Sequence, residues 1–114
     1  MELFCRADGE RLQMIIVETT FNKKEDAEST VNFLLEEKLI ACATYKNVES
    51  TYAWEGKIEN DQEIEVSLHT SESLFPKVIE NVKAKHPYEL PRITIIHPLY
   101  TLPEYEDWVK DSTS

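Results

Sequence analysis

The sequence predicts an α+β domain built on one antiparallel sheet, and three observations lead to that fold class. Short β-branched runs stand near both ends of the chain, at 14–17 and 92–97. Two long extended stretches flank Glu55-Gly56, which is typical of the turn of a β-hairpin. Apolar residues recur at helical spacing before and after that hairpin. This alternation predicts a sheet with helices packed on one face.

The first strand and the first helix follow one another directly. Residues 14–17 (MIIV) form an apolar run typical of a strand that is buried on both faces. Asn22 is the predicted N-cap of the next helix, with Glu25 three residues on to bond back to it. The helix is predicted to run to Lys38, and its apolar stripe consists of Ala27, Val31, Leu34 and Leu35.

The central hairpin joins an extended stretch at 41–54 to another at 57–70. In the second stretch a period of two predicts a core face made of Ile58, Ile64, Val66 and Leu68. The other face is expected to be wet or to carry chemistry, and it presents Lys57, Glu59, Asp61, Glu63, Glu65, Ser67 and His69. The first stretch alternates poorly around Lys46-Asn47, which predicts a β-bulge there.

A second helix follows the hairpin. Ser71 or Ser73 is its predicted cap, and Pro76 is tolerable because it falls in the first turn, where amide hydrogens have no partner. The helix is expected to stop at His86-Pro87, since a proline disfavours helix in the residue before it.

A fourth strand is predicted at 92–97, and Thr101 with Glu104 forms a predicted capping box for a short last helix. The element order is therefore βαββαβ with a C-terminal helix. Right-handed crossovers in both halves give a ferredoxin-like sandwich. We expect residues 14–114 to form this single domain, and residues 1–13 to be a disordered tail.

Composition restricts the partners. The 114 residues include 22 acidic and 12 basic side chains, which gives a formal net charge of -10. The electrostatic field of this negative charge repels phosphate backbones and anionic lipid headgroups. We therefore expect cations as partners and neither nucleic acid nor membranes. Cys5 and Cys42 lie far apart with no CxxC spacing, which favours a reducing compartment and a cytoplasmic location.

The length of the hairpin predicts self-assembly. An arm of about fourteen residues would extend roughly 45 Å at about 3.4 Å per residue, whereas a compact chain of this size is about 34 Å across. The hairpin must therefore bend or project beyond its own sheet. Projection would expose Tyr52 and Trp54, and aromatic side chains of that kind are sheltered best by another subunit. We therefore expect a homo-oligomer.

Four segments resemble the CutA family of divalent-ion tolerance proteins. They are 36–42 (EEKLIAC), 52–57 (YAWEGK), 86–91 (HPYELP) and the pair Tyr105 and Trp108. The resemblance covers the chain from Met14 to about Val109. It implies a ferredoxin-like subunit in a compact homotrimer similar to the PII signalling proteins, with clefts between subunits. It also implies a link to copper and other divalent cations, and it brings no enzymatic reaction.

The resemblance implies candidate metal ligands as well. Some members carry a cysteine at the end of the first strand, where this chain has Glu18, and paired histidines before the proline, where it has Lys85-His86. The candidate ligands are His86, Glu18 and Cys42. Because a thiolate and an imidazole are missing, the site shifts toward harder oxygen ligands, and the metal need not be copper.

Each candidate also has a structural interpretation. A lone thiol such as Cys42 is commonly a buried small hydrophobe, and an imidazole at a helix end such as His86 interacts favourably with the helix dipole. His69 and His97 are interpreted as surface residues. The carboxylates on the second hairpin strand form either a solvated surface or a site where a divalent cation relieves their repulsion.

The sequence thus predicts a non-enzymatic, trimeric binding or regulatory protein that acts through intersubunit clefts. Positions at a subunit boundary or cleft are predicted to be Tyr52, Trp54, Lys57, Tyr88 and Trp108. The alternative is a PII-like signalling protein that binds a small molecule without physiological metal.

Two other function classes share the fold. An RNA-recognition motif has the same element order, but the third strand here presents carboxylates in place of basic and stacking residues. An acylphosphatase-type hydrolase needs a phosphate cradle after the first strand, and the loop at 19–24 has neither glycine nor arginine. Both are disfavoured.

Overall fold

The computed structural model describes residues 13–114, so the tail predicted at 1–13 lies, apart from Gln13, outside the described residues. The elements are β1 (Met14–Phe21), α1 (Lys24–Glu36), β2 (Cys42–Trp54), β3 (Lys57–Ser71), α2 (Phe75–Lys85), β4 (Ile93–Ile96) and α3 (Pro103–Ser112). The strands pair antiparallel in the order β2-β3-β1-β4. The predicted α+β fold class and element order are confirmed.

The hydrophobic core lies between the sheet and the helices α1 and α2. Alternate side chains of β1 and β3 point toward these helices, as the period of two predicts. The most deeply buried of them are Val17, Phe21, Val66 and Leu68, and they pack against Ala27, Val31, Leu34, Val78 and Val82. Ile58 was predicted to share this face but is 71% exposed, because it lies where β3 has passed beyond β1.

Within residues 13–114, no helix is long and apolar enough to cross a bilayer.

The hairpin of β2 and β3 is paired without interruption. Every residue from Cys42 to Trp54 has one partner on β3, beginning with His69 and ending with Lys57. The bulge predicted at Lys46-Asn47 is therefore wrong. The weak alternation there has another cause: most of β2 is exposed on both faces, so burial does not select for a period of two.

The turn of the hairpin matches its prediction. Glu55 has φ 50° and Gly56 has φ 78°, so both central residues of the two-residue turn adopt left-handed backbone. This geometry fits the right-handed twist of the flanking strands. The tight turn fixes the register of the whole hairpin.

The hairpin projects beyond the rest of the sheet. Of the 15 residues of β3, the eight from Ile64 to Ser71 pair with β1, and the remaining seven, Lys57 to Glu63, pair with β2 alone. Seven residues extend about 24 Å at about 3.4 Å each. The molecule is accordingly elongated, with extents of 50 × 32 × 21 Å. Of the two outcomes that the length argument allowed, projection is the one observed.

None of the predicted side-chain caps forms. The N-cap residues are Lys23 for α1, Leu74 for α2 and Leu102 for α3, and none makes a side-chain cap hydrogen bond. The predictions of Asn22, of Ser71 or Ser73, and of Thr101 as caps are therefore wrong. Acidic residues in the first turns of α1 and α3 stabilise those ends through the helix dipole instead, and α2 and α3 begin with a proline in the first turn.

The third helix is attached to β1 through a buried carboxylate. Glu106 is 3% exposed, and its Oε2 accepts hydrogen bonds from the backbone N–H of Gln13 at 2.9 Å and of Met14 at 3.0 Å. The start of β1 and the last helix are thereby held together.

His86 fixes the end of α2 against the end of β1. Its ring stacks on Phe21 with 4.3 Å between centroids and 9° between planes, and its Nε2 donates to the carbonyl of Thr20 at 2.8 Å. Burial lowers the pKa of His86 below its ordinary value. The Thr20 carbonyl and the charges of Glu63 and Asp26 oppose that shift but do not cancel it. The imidazole is therefore neutral at pH 7.

Substitution by alanine should destabilise the protein to different extents at two adjacent leucines of α1. Leu34 is fully buried, so we expect Leu34→Ala to reduce the free energy of unfolding by about 2–5 kcal/mol. Leu35 is 40% exposed, so Leu35→Ala should cost about 1 kcal/mol or less. Urea unfolding at one protein concentration measures both, and equal losses would contradict the placement of the core.

Mild acid should destabilise the fold through His86. The unfolded chain binds a proton at His86 near pH 6.5, whereas the folded chain resists it, so this contribution is complete above pH 6.5 and declines as the pH falls below that value. We expect unfolding free energy to decrease between pH 7.5 and 5.5, and to decrease less in His86→Gln. Denaturant midpoints across this range give the two slopes. Identical slopes would show that His86 is freely protonated in the folded protein.

Candidate functional site

The open face of the sheet is the side opposite α1 and α2. Because side chains alternate along a strand, the residues between the core positions point to this face. On β1 they include Ile16 and Glu18, and on β3 they include Glu65, Ser67 and His69. The face of β3 that was predicted to be wet or to carry chemistry is therefore part of the open face, but only some of its side chains are exposed to solvent.

Glu18 lies in a small polar network on the open face. Its Oε1 is 3.2 Å from Arg92 Nη1, and its Oε2 accepts a hydrogen bond of 3.4 Å from Ser67 Oγ. Arg92 Nη2 also lies 3.5 Å from Glu65 Oε2. One guanidinium therefore bridges two carboxylates that would otherwise repel each other. A cation that binds Glu18 within one chain must compete with Arg92.

His86 lies on the other face, among the core residues. Its Nε2 donates to Thr20, and its Nδ1 accepts the backbone N–H of Tyr88 at 3.2 Å. Both ring nitrogens are thus engaged, and the side chain is 9% exposed. A metal bound at Nδ1 would have to replace the Tyr88 bond.

Glu63 connects the hairpin to the loop that follows α2. It is 8% exposed, although it belongs to the face that was expected to be wet or to carry chemistry. Ser50 Oγ and Tyr88 Oη donate hydrogen bonds to its two oxygens and cover it. Burial, and then the bond to Glu63, raises the pKa of Tyr88 far above its ordinary value, so this phenol remains a donor. The contact holds the 86–91 loop at the point where the hairpin leaves the sheet.

A second polar contact lies farther along the hairpin. Tyr52 Oη donates to Asp61, and this bond raises the pKa of Tyr52 to about 12. Thr51 Oγ1 donates to Asn60 Oδ1 at 2.7 Å. These bonds fix cross-strand pairs in the projecting part of the hairpin, where no core packing is available.

A third group surrounds Cys42 at the far end of the open face. Cys42 is paired directly with His69, whose Nδ1 is 2.8 Å from the hydroxyl of Tyr105 on α3. Tyr105 packs edge-on against His69 and contacts Trp108, with ring centroids 5.9 and 5.6 Å apart. Burial lowers the pKa of His69, and burial together with Cys42 raises the pKa of Tyr105 to about 12.

The structure does not bring the three predicted metal ligands together within one chain. Glu18 and Cys42 lie on strands separated by β3, about 10 Å apart or more, and His86 lies on the opposite face from Glu18. Over residues 13–114, no group of three or more His, Cys, Asp or Glu side chains is arranged to hold a metal ion. His69, which was interpreted as a surface residue, is half-buried and bonded.

The predicted cleft residues are dispersed in the same way. Tyr52 and Trp54 lie near the hairpin tip and are 41% and 39% exposed, Lys57 is exposed beside them, and Trp108 on α3 is 48% exposed. Tyr88 is half-buried against His86 and Glu63. Packing among residues 13–114 leaves the rings of Tyr52, Trp54 and Trp108 partly exposed.

A shallow groove of about 650 Å³ lies where the hairpin departs from β1. It is lined mainly by polar side chains, among them Asn22, Asn47, Glu49 and Gln62. The groove is open, so a single chain offers a surface there and no enclosed cavity.

Two of these contacts were not predicted from the sequence, although one of them has a signal in it. An uninterrupted hairpin closed by Glu55-Gly56 places Cys42 opposite His69, so the tight turn alone predicts that pair. The contact of Glu63 with Tyr88 had no such signal, because it joins segments 25 residues apart through a loop.

Comparison with known proteins agrees over nearly the whole chain. Residues 15–112 match the family model described as CutA1 divalent ion tolerance protein. The divalent-cation tolerance protein CutA of Pyrococcus horikoshii is 43% identical over 100 residues, which is 88% of this chain and 98% of that protein. The protein of the same name from Thermus thermophilus is 35% identical over 99 residues, covering 86% of this chain and 96% of that one.

Solved structures show the same fold. A crystal structure of CutA1 from Pyrococcus horikoshii superimposes with a TM-score of 0.84 at 41% identity, covering 88% of this chain and 98% of that one. CutA from Synechococcus elongatus superimposes with a TM-score of 0.86 at 25% identity, covering 90% and 92%. Since sequence and fold agree from the first strand to the last helix, this chain belongs to the CutA1 divalent ion tolerance protein family.

Proposed function

We propose that this protein is a homotrimeric, non-enzymatic binding or regulatory protein for divalent cations, copper among them, and that it acts through clefts between subunits. The observation that carries the proposal is the hairpin, which extends seven residue pairs beyond β1 with large side chains exposed. Membership in a divalent ion tolerance family supports the choice of cations.

The exposed side chains support assembly. Trp54 is 39% exposed and Ile58 is 71% exposed, on a two-stranded ribbon that is only marginally stable by itself in water. At the opposite edge of the sheet, β4 is only four residues long and exposes Ile95 and Ile96 by 37% and 38%. Hairpins that cover the edges of neighbouring copies would bury both surfaces, and a closed ring leaves no edge free.

The negative charge of the chain supports a cation as its ligand. The formal net charge is -10, and in the open-face network one arginine serves both Glu18 and Glu65. A cleft between subunits combines side chains from different chains, so Glu18, Cys42 and His86 remain individual candidate ligands. Carboxylate favours harder ions, whereas thiolate and imidazole favour copper or zinc.

The same negative charge repels the phosphates of nucleic acids and of anionic lipids, so the proposal includes neither nucleic acid nor membrane as a partner. The free thiol of Cys42 supports a reducing, cytoplasmic location. The family is not confined to that compartment: a CutA structure from Archaeoglobus fulgidus is described as periplasmic, and the Arabidopsis thaliana relative as chloroplastic.

One observation favours a second function. Glu18 is already paired with Arg92, and both nitrogens of His86 are engaged, so a bare cation must displace existing partners. A small molecule that offers polar groups of its own could bind the polar groove at the hairpin base without this loss. In that case the protein is a PII-like signalling module without physiological metal.

Disruption of the hairpin should dissociate the assembly. We expect the unsubstituted protein to have the mass of three chains in solution, and Ile58→Glu combined with Trp54→Ala to lower it, because the projecting ribbon loses its apolar contact. Leu35→Glu, on α1 and 40% exposed in the unsubstituted chain, is the matched control and should keep the mass of three chains. Light scattering coupled to size exclusion measures the mass. A monomeric unsubstituted protein would refute the assembly.

Cation binding should be saturable and should depend on the candidate ligands. We expect calorimetric titration with Cu²⁺ or Zn²⁺ to give a defined stoichiometry, and Glu18→Gln or His86→Gln to weaken binding roughly tenfold or more. Glu104→Gln, an exposed carboxylate on α3, is the control and should bind as the unsubstituted protein does. Absence of saturable heat with Cu²⁺, Zn²⁺ and Mg²⁺ would exclude the metal function and leave the small-molecule alternative.

A further inference from the structure

The groove at the base of the hairpin, which we call the hairpin groove, lies on the core face of β2 and β3. Ile64 pairs with the last residue of β1 and with Asn47 of β2, so these side chains leave the same face. Glu49 and Gln62 form the cross-strand pair two residues farther out on that face, and Asn22 follows the end of β1. The groove measures about 650 Å³, which is within the range of about 300–1,000 Å³ that small-molecule sites occupy.

The hairpin groove has an apolar floor and a polar wall. The floor is Ile64, which is half-buried against the hydrophobic core. The wall consists of four exposed polar side chains: Asn22, Asn47, Glu49 and Gln62. Among residues 13–114, no hydrogen bond or ion pair engages any of these four side chains. Their oxygens and amide N–H groups are therefore available to a ligand.

The charges that line the hairpin groove are negative. They belong to Glu49 and Glu63, and within residues 13–114 no lysine or arginine lines the groove. Glu63 already accepts hydrogen bonds from Ser50 and Tyr88, so Glu49 is the carboxylate that is free to bind. The formal net charge of -10 attracts cations to this surface and repels anions.

We propose that the hairpin groove binds a small aliphatic amine with its ammonium group at Glu49, which rests on the small-molecule alternative of the proposed function. An ammonium group has three N–H donors and no acceptor, so it requires a site rich in acceptors. Glu49 and Gln62 are directly opposite, with Cβ atoms about 4.5–5.5 Å apart, and Asn47 lies about 7 Å away along the same face of β2. A carboxylate and two amide oxygens are therefore within reach of one ammonium group, and the bond to the carboxylate is charge-assisted. The methylene groups of the amine cover Ile64 and are removed from water.

Other classes of ligand fit the hairpin groove less well. A neutral polyol bonds to amides but leaves Glu49 without a counter-charge. A bare Ca²⁺ ion takes six to eight oxygen ligands, whereas over residues 13–114 no group of three or more His, Cys, Asp or Glu side chains is arranged to hold a metal. An ion also gains nothing from an apolar floor, which an alkyl chain covers.

Failure of the amine site and failure of the proposed metal function give different results. The described residues that line the groove belong to one chain, and none of the candidate metal ligands Glu18, Cys42 and His86 is among them. Saturable Cu²⁺ binding without amine binding would overturn the amine site and leave the metal function in place. Amine binding without heat from Cu²⁺ would support the amine site and remove the metal function.

Calorimetric titration with 1,5-diaminopentane tests the proposal, and 1,5-pentanediol is the uncharged ligand of the same length. We expect one saturable diamine site per chain at about 0.15 M salt, where long-range attraction between exposed charges is screened. The diol should bind about tenfold more weakly or worse, because it forms no charge-assisted bond with Glu49. Equal binding of diol and diamine would overturn the assignment of an ammonium ligand.

Two isosteric variants distinguish the groove from the net charge of the chain. Glu49→Gln should weaken diamine binding by about tenfold or more. Glu104→Gln removes the same charge from an exposed position on α3, which packs on the opposite face of the sheet, and should bind as the unsubstituted protein does. Equal weakening in both variants, or none in Glu49→Gln, would overturn the site.

Heteronuclear NMR locates the bound diamine, because each side-chain NH₂ group gives its own signals. We expect the NH₂ signals of Asn22, Asn47 and Gln62 to shift during the titration. Asn81, whose NH₂ group donates to the carbonyl of Lys77 on α2, is the internal control and should not shift. Shifts of similar size at Asn81 and at the groove amides would show general attraction to a negative surface and would overturn the proposal.

Discussion

The uninterrupted pairing of β2 with β3 determines how far the hairpin reaches and which side chains share each of its faces. A two-residue turn at Glu55-Gly56, with both residues in left-handed backbone, sets a register that continues for thirteen pairs. Because β1 accompanies β3 for only eight residues, no third strand among residues 13–114 pairs with the outer half of the hairpin. An exposed ribbon with Trp54 and Ile58 is the direct result, and it is the physical reason for expecting neighbouring copies.

The same register distributes the polar chemistry. Successive side chains on a strand point to opposite faces, so Glu18 lies on the open face while Phe21 and the stacked His86 belong to the core. Cys42 is carried to the other end of the open face, opposite His69. The three residues that resemblance brings together are therefore separated within one chain. Either neighbouring chains reunite them, or each has a different role.

Much of the fold was predictable, because it depends on patterns that extend over many residues. The period of two in β3, the apolar stripe of α1 and the turn at Glu55-Gly56 each indicate the same βαββαβ order independently. Features that depend on a single contact were not predictable. No side-chain cap forms at Asn22, and the bulge at Lys46-Asn47 is absent because β2 is mostly exposed and its polar pattern carries no information about pairing.

The candidate site was less predictable, for a related reason. Candidate residues could be named from the sequence, but the side chains that contact them come from distant segments. Arg92 reaches Glu18, Tyr88 reaches Glu63, and Tyr105 reaches His69, each across a loop whose path the sequence does not reveal. The carboxylates of β3 were expected to form either a solvated surface or a cation site, whereas Glu63 is buried by two donors from other segments.

In the proposed assembly, other copies of the chain shelter the outer half of the hairpin. Amide hydrogen exchange can detect this shelter by comparing residues 48–54 and 57–63 with residues 64–71, which β1 covers within one chain. If neighbouring copies cover the hairpin, we expect the amides of the outer segments to be protected to a degree similar to those of 64–71. Exchange of the outer segments at the rate of an unstructured peptide, while 64–71 remains protected, would contradict it.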